Sequence, residues 1–284
     1  MIIEEISNFD SCDDLVSTEE IIWNNLEKEN PQINNKYLFI KFPFADLINK
    51  NNSNVSLINP FLQSLRDRFP ITQTLIFICQ HIAVVKLILP PNCILFTPHA
   101  TDRDSYIGLP HFTPFTPIKK AVSLENRHHL FCFHGASYTH PTRKKILDYY
   151  DDNPQFNLMD TGKWHFDKDP VSRIDRQERY SSTLSNSLFS LCPRGTGPST
   201  IRIWDSLALG SVPVIIADGL KMPLPNKVRW NDCCIFVPEA DIESLPDLVP
   251  PRTSADSMIK YGSEIYHQFF SKTNLHRTII SSLQ

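Results

Sequence analysis

Two successive series of short apolar runs alternate with helix-like segments, and a proline-rich stretch separates them; no other feature restricts the folds open to this chain as strongly. The first series places "KYLFIKFPF" (36–44), "QTLIFICQ" (73–80) and "NCILFTP" (92–98) between Pro, Asn and Gln, the pattern of buried strands. "INPFLQSLRDRF" and "HIAVVKLIL" fit helices between them. "LVSTEEIIWNNLEK" (15–28) reads as an amphipathic helix capped by Ser17 or Thr18, with Glu20 placed for a capping box. "GLPHFTPFTPIKKA", with prolines at 110, 114 and 117 and no apolar periodicity, reads as an extended linker.

The second series has strands at "HLFCFHG" (129–135), near "FNLMD" (156–160), and at "LFSLCP" (188–193), "VPVIIAD" (212–218) and "CCIFVP" (233–238). Helices are expected at "PTRKKILDYY" (141–150) and "STIRIWDSLALG", a helix or turn around "QERYSSTLSNS", a polar loop over 161–175, and helical spacing in the terminal segment. Such alternation is the mark of open α/β sheets, and 284 residues suffice for two domains. The prediction is an α/β chain of two Rossmann-like domains facing a central cleft, 1–118 and 119–284, with the terminal helix packing back on the first. Ligands of such sheets bind beyond the carboxyl ends of the strands, which in the second domain means the loops after Phe133, Met159, Cys192 and Ile216.

Composition narrows the partners. A net charge of −3 and a pI near 6.4, with both signs interspersed, leave no basic face to follow a phosphate backbone, so nucleic acid is excluded as a partner. Seven cysteines (12, 79, 93, 132, 192, 233, 234) form no CxxC pair and read as reduced, buried thiols. No window approaches the roughly 20 apolar residues of a bilayer span. A soluble, cytoplasmic chain, neither secreted nor anchored, is expected.

Glycine is scarce, and six of the eight residues (135, 162, 195, 197, 210, 219) fall between 135 and 219. Gly210 is placed as a helix C-cap. Gly195 and Gly197 instead lie between the strand "LFSLCP" and a helix opened by Pro198, Ser199 and Thr200. A helix N-terminus with exposed N–H groups is an anion site, and Arg194 and Arg202 add forked donors suited to phosphate. No Lys-Ser or Lys-Thr follows the glycines, and Thr200 stands where a dinucleotide fingerprint needs its third glycine, so neither standard phosphate loop applies. A tight turn that merely caps the helix is the competing explanation. Asp205, three residues after Arg202, either pairs with that arginine or accepts hydrogen bonds from a ribose diol.

"SLFSLCPRGTGPSTIRIWDSLALGSVPVIIADG" with the downstream Leu-Pro, Trp and "FVP" resembles the nucleotide-sugar-binding half of exostosin-family glycosyltransferases, whose pattern runs S-x-F-C-L-x-P-x-G, S-x-R-x-x-E/D-A and G-x-x-P-V-I. "LFCFHGASYTHPTRKKILDYY" and "ILFTPHATDRDSYIGLPHFTPFTP" extend the similarity over most of residues 75–284. The resemblance implies a GT-B fold and inverting transfer from a UDP-sugar, UDP-xylose or another neutral sugar being favoured, to an oligosaccharide or glycoprotein glycan, with the acceptor in the first domain. It implies that Arg194, Gly195, Thr196, Gly197, Ser199 and Arg202 hold the diphosphate, with Pro193 and Thr200 in the same donor-binding stretch, Asp205 on the ribose, and Gly135 and Arg143 as the opposite wall. Asp205 departs from the more usual Glu, and the absence of an anchor or stem matches short microbial or large-virus members.

Inverting transfer needs a base for the acceptor hydroxyl and counter-charge for the departing diphosphate. The arginines supply the second, so no metal or other cofactor is expected. His99, Asp102 and Asp104 follow a strand end in the first domain and are the candidates for the base; His111 is a lesser one, and His134 is a candidate phosphate binder. Asp102-Arg103-Asp104 also spells a D-x-D manganese motif, a pattern that chance readily produces among 31 acids. An epimerase or GDP-sugar transferase of the same fold, and an inactive sugar-nucleotide-binding subunit, stay open as alternatives.

Overall fold

The computed structural model describes residues 1–5, 18–102, 105–111, 122–162 and 170–284. The chain packs as two compact units, Met1–Phe112 with Gly219–Leu224 and Lys272–Gln284, and Thr113–Asp218 with Pro225–Ser271. They are therefore not two contiguous halves: two late segments belong to the first unit.

The first unit carries a five-stranded parallel sheet in sequential order, β1 (Ile2–Glu5), β2 (Tyr37–Lys41), β3 (Thr74–Ile78), β4 (Cys93–Thr97) and β5 (Tyr106–Gly108). Alternate strand residues feed two cores, as a period of two requires. Leu38, Ile40, Leu75, Phe77 and Leu95 face α2 (Phe44–Lys50) and α3 (Ile58–Arg68), whereas Phe39, Ile76, Ile78 and Phe96 join Ile21, Ile22, Trp23 and Leu26 of α1 (Thr18–Glu29). The terminal segment contributes Leu275 and Ile279 to that second core.

Three expectations change here. β1 and β5 carry weak apolar signatures because they are the short sheet edges, where acids and small residues are tolerated. "KYLFIKFPF" stops as a strand at Lys41, and Phe44 opens α2. "HIAVVKLIL" forms only a single 3₁₀ turn, Ile82–Lys86, because α3 holds the chain beyond it: the Asn59 side chain accepts from the N–H of Ile88 at 2.9 Å and Gln63 donates to its carbonyl at 2.7 Å.

The second unit carries β6 (His129–Gly135), β7 (Phe156–Asp160), β8 (Ser187–Pro193), β9 (Val212–Ile216) and β10 (Ile235–Phe236). All its pairings are parallel, in the order β10-β9-β8-β6-β7. α4 (Pro141–Tyr150), α5 (Pro170–Ser185) and α6 (Arg202–Leu209) connect them, and α7 (Leu245–Leu248), α8 (Arg252–Ile265) and a π turn at Tyr266–Phe270 follow; α9 (His276–Leu283) belongs to the first unit. The chain leaves β6 outward to β7 and then returns to β8 on the other side of β6. That reversal opens a crevice beyond the carboxyl ends of β6 and β8, the place where open α/β sheets bind ligands. The α/β expectation of a parallel sheet in each unit holds.

Gly210 is left-handed (φ 73°), and its N–H donates to the Ser206 carbonyl, capping α6. The helix opens at Arg202, not at Pro198: the Thr200 and Ile201 carbonyls take the N–H groups of Ile203, Trp204 and Asp205. The predicted strand 233–238 shrinks to the two residues of β10. Six cysteines (79, 93, 132, 192, 233, 234) are free and buried; Cys12, Ser17, residues 112–121 and residues 163–169 of the predicted loop 161–175 lie outside the described residues, and from Pro170 onward that stretch is not loop but the start of α5.

Candidate functional site

Two arginines span the crevice in opposite directions. Arg143, in the first turn of α4 after β6, reaches β8: its Nε donates to the Arg194 carbonyl at 2.9 Å, Nη2 to the Pro193 carbonyl at 3.2 Å and Nη1 to the Ala136 carbonyl at 3.3 Å. Arg202, at the start of α6 after β8, reaches back and donates through Nη2 to the His134 carbonyl. Its guanidinium carbon lies 4.5 Å from the centroid of the Phe133 ring, and that of Arg143 lies 5.8 Å from the same ring.

Both glycines of the crevice wall are explained by these side chains. A Cβ at Gly135 would meet Arg202 Nη2 at 2.7 Å and the Phe133 ring at 2.9 Å, and one at Gly195 would meet Arg143 Nη2 at 3.1 Å. Sequence reasoning reserved this space for a ligand; in part it admits the arginines.

The electrostatics are one-sided. Arg202 is only 5% exposed, and its Nε and Nη1 are buried without a hydrogen-bond partner. Burial, with Arg202 as the next cause, lowers the Arg143 guanidinium to about 10. Among the described residues no carboxylate lies within ion-pair distance of either group. A buried cation such as Arg202, beside the half-buried Arg143 and with no acid on either, is costly unless an anion joins it. The loop supplies further donors: the N–H groups of Gly195, Thr196, Gly197, Ser199, Thr200 and Ile201 donate to nothing among the described residues. Thr196 is exposed at the loop tip, whereas Ser199 and Thr200 are buried. The free N–H groups thus belong to the loop, since those of the α6 first turn are taken.

Asp205 forms no ion pair with Arg202. It is buried on α6, and its Oδ2 accepts from the Tyr180 hydroxyl of α5 at 3.0 Å, which no local spacing announces. Burial pushes the Tyr180 phenol well up, with the Asp205 charge as the next cause, and the same two causes raise Tyr266 to about 12. Arg194 faces Glu239, Nη1 to Oε1 at 3.6 Å. His134 does not present its ring to the crevice: Nε2 pairs with Asn157 at 3.0 Å and Nδ1 with Thr183 at 3.3 Å, beneath the loop. Its assignment as a phosphate binder is corrected accordingly, and only its carbonyl serves the site.

In the first unit His99 follows β4 and is 5% exposed, with Nδ1 buried and unpartnered. Burial and the nearby His111 ring, 6.0 Å away, lower it to about 3; burial lowers His111 to about 4. Both rings are neutral at physiological pH. Asp102 is exposed, 3.5 Å from Lys221 Nζ, and Asp104 lies outside the described residues. Sequence reasoning missed Glu19 at the same sheet edge, whose oxygens accept from the N–H groups of Gln80 at 2.8 Å and Ala45 at 3.4 Å. Burial lifts it to about 8. Among the described residues no group of three His, Cys, Asp or Glu side chains is placed to hold a metal, and no helix is long and apolar enough to cross a membrane.

The Exostosin GT47 domain family model matches residues 61–250, more than half of the chain. A probable glucuronoxylan glucuronosyltransferase of Arabidopsis thaliana, IRX7, is 47% identical over 70 residues, 25% of this chain and 16% of that protein. A probable beta-1,4-xylosyltransferase of the same plant, IRX10L, is 27% identical over 121 residues, 42% of this chain and 26% of that protein. These alignments span well under two thirds of either relative. Among solved structures, S. aureus TarM is 10% identical with a TM-score of 0.45, covering 93% of this chain and 58% of that one.

Proposed function

The chain belongs to the exostosin GT47 glycosyltransferase family, and from that premise we propose that it transfers a sugar from a UDP-sugar to a hydroxyl of a glycan acceptor, with inversion and without a metal. The observation that carries this reading is the pair of acid-free guanidiniums, buried Arg202 and half-buried Arg143, across the crevice where β6 and β8 diverge. A diphosphate supplies the anion they lack.

In this reading the loop N–H groups from Gly195 to Ile201 and the open Nε and Nη1 of Arg202 bind the diphosphate. They stabilise the charge that develops on it as the glycosidic bond breaks, the task of a preorganised oxyanion site. The counter-charge comes from arginine, so no metal is assigned. Asp205, oriented by Tyr180, is given the ribose.

The base is assigned to His99, with Asp102 beside it in the same loop. The ring is already neutral and so able to accept a proton, but a group near 3 is a weak base at neutral pH. A negative charge or a hydrogen-bond acceptor brought by the substrates has to raise it. The two relatives are named for glucuronosyl and xylosyl transfer, so UDP-glucuronate belongs beside UDP-xylose and other neutral UDP-sugars in a donor panel.

The test is a thermal-shift and calorimetric comparison of UDP, GDP, ADP and inorganic pyrophosphate, followed by UDP release from the donor panel. UDP is expected to stabilise the protein with or without EDTA. Arg202→Ala and Arg143→Ala should each weaken UDP roughly ten- to hundredfold. His99→Ala or Asp102→Ala should abolish transfer and leave UDP binding intact. A response to GDP and none to UDP overturns the donor assignment, and silence to every nucleotide overturns the reading.

A further inference from the structure

Glu239 is the one acid partner of the crevice arginines among the described residues, and the residues around it hold it there. Its Oε1 accepts from the Asp218 N–H after β9 at 3.0 Å, and its own N–H donates to Asp218 Oδ1 at 3.2 Å. Thr142, in the first turn of α4, donates to Oε2 at 3.2 Å, and His140 Nδ1 stands 4.0 Å from the same oxygen. The carboxylate is thus tied to the ends of two elements that frame the crevice, and its Oε1 lies 3.6 Å from Arg194 Nη1. That distance is attraction without a hydrogen bond. Arg194 is half-buried, its Nε is buried and unpartnered, and its carbonyl is held by Arg143. Among the three guanidiniums, then, Arg143 and Arg202 have no acid, and Arg194 shares its charge with a fixed one.

On the premise that the crevice binds a nucleoside diphosphate, we propose that Glu239 is a specificity-determining residue: a built-in counter-charge that disfavours the free nucleoside diphosphate relative to the sugar nucleotide. The physical basis is the charge of the ligand. A diphosphate esterified at both ends carries one negative charge on each phosphate. A free terminal phosphate near neutral pH carries about −1.5 to −2, so the product of transfer brings nearly one charge more than the donor. A fixed carboxylate at the rim repels that extra charge through the partly screened interior, and the more negative ligand loses more. Glu239 therefore favours exchange of spent nucleotide for fresh donor, at the expense of overall affinity.

The experiment compares the unmodified chain with Glu239→Gln by calorimetry for UDP, a UDP-sugar and inorganic pyrophosphate, at low and at moderate salt. The glutamine removes the charge, keeps one oxygen to accept from the Asp218 N–H and turns its NH2 to donate to the Thr142 hydroxyl oxygen in place of accepting from it. Binding of UDP and pyrophosphate should tighten roughly tenfold and that of the UDP-sugar by clearly less, with the gain shrinking as salt is added. Thr142→Val, which removes one tie and keeps the charge, should show no such tightening. Unchanged or weaker UDP binding in a Glu239→Gln protein that melts like the parent overturns the proposal, as does equal tightening for all three ligands. If the unmodified chain binds none of them, the nucleotide reading itself has failed, which is a distinguishable outcome.

Discussion

Gly135 and Gly195 look alike in the sequence, yet they meet their arginines differently. At Gly135 a methyl group would press on Arg202 Nη2 at 2.7 Å and on the Phe133 ring at 2.9 Å, and that ring is fully buried between sheet and helix and has nowhere to go. At Gly195 the nearest atoms are the Arg143 guanidinium at 3.1 and 3.5 Å, which can yield by a few tenths of an ångström. Gly135→Ala should therefore cost about 1–3 kcal/mol, the usual penalty of overpacking, and displace Arg202; Gly195→Ala should cost under about 1 kcal/mol. Urea denaturation checks the order, and pyrophosphate calorimetry should show the larger loss for Gly135→Ala. Equal penalties would mean that the Phe133 ring gives way. The glycines stand out in the sequence because they are scarce, but the reason for them does not, since apart from the neighbouring Phe133 ring the side chains that exclude a Cβ come from residues 67 and 52 positions away along the chain.

At the scale of elements, the carboxyl edge of the first sheet gathers buried Glu19, buried His99 and half-buried His111, and their titration sets how that unit responds to pH. Glu19 at the start of α1 has a folded value of about 8 against an ordinary 4.5. The folded state then binds a proton that the unfolded state has released, so stability falls as pH rises through that window. His99 and His111 run the other way: about 3 and about 4 against 6.5 means that the unfolded state takes up protons first, and stability falls as pH drops below 6.5. Chemical denaturation from pH 5 to 9 should show losses on both sides. Glu19→Gln should flatten the alkaline limb by about 1–3 kcal/mol, and His99→Gln with His111→Gln should flatten the acid limb, each proton being worth at most about 1.4 kcal/mol per pH unit. An alkaline limb unchanged by Glu19→Gln would place the carboxyl in contact with water. The strands of both sheets were largely legible from their apolar runs, while the edge strands β1 and β5 and the turn at 82–86 were not. Edges need no apolar signature, and the turn is held by Asn59 and Gln63 of a helix more than twenty residues upstream.

Over the whole molecule the chain does not fall into halves. Lys272–Gln284 completes the first unit, where Leu275 and Ile279, both fully buried, pack with Ile22, Trp23 and Leu26 of α1, and His276 pairs with Glu29. Ile279→Ala should cost about 2–4 kcal/mol, and removal of residues 272–284 should unfold the first unit while leaving pyrophosphate binding by the second, read by hydrogen exchange together with calorimetry. Retained protection of α1 in the truncated chain would contradict this. The strand and helix order, the parallel class of both sheets and the glycine and arginine content of the loop after β8 follow from residues near one another, because period, turn chemistry and capping are local. Which arginines go without an acid, that Asp205 answers to Tyr180 and not to Arg202, that Glu239 stands beside Arg194, and that His134 turns away from the crevice were decided only when the chain closed. Charge compensation and burial are sums over side chains 25, 45, 49 or 97 positions apart, and no local pattern carries such a sum.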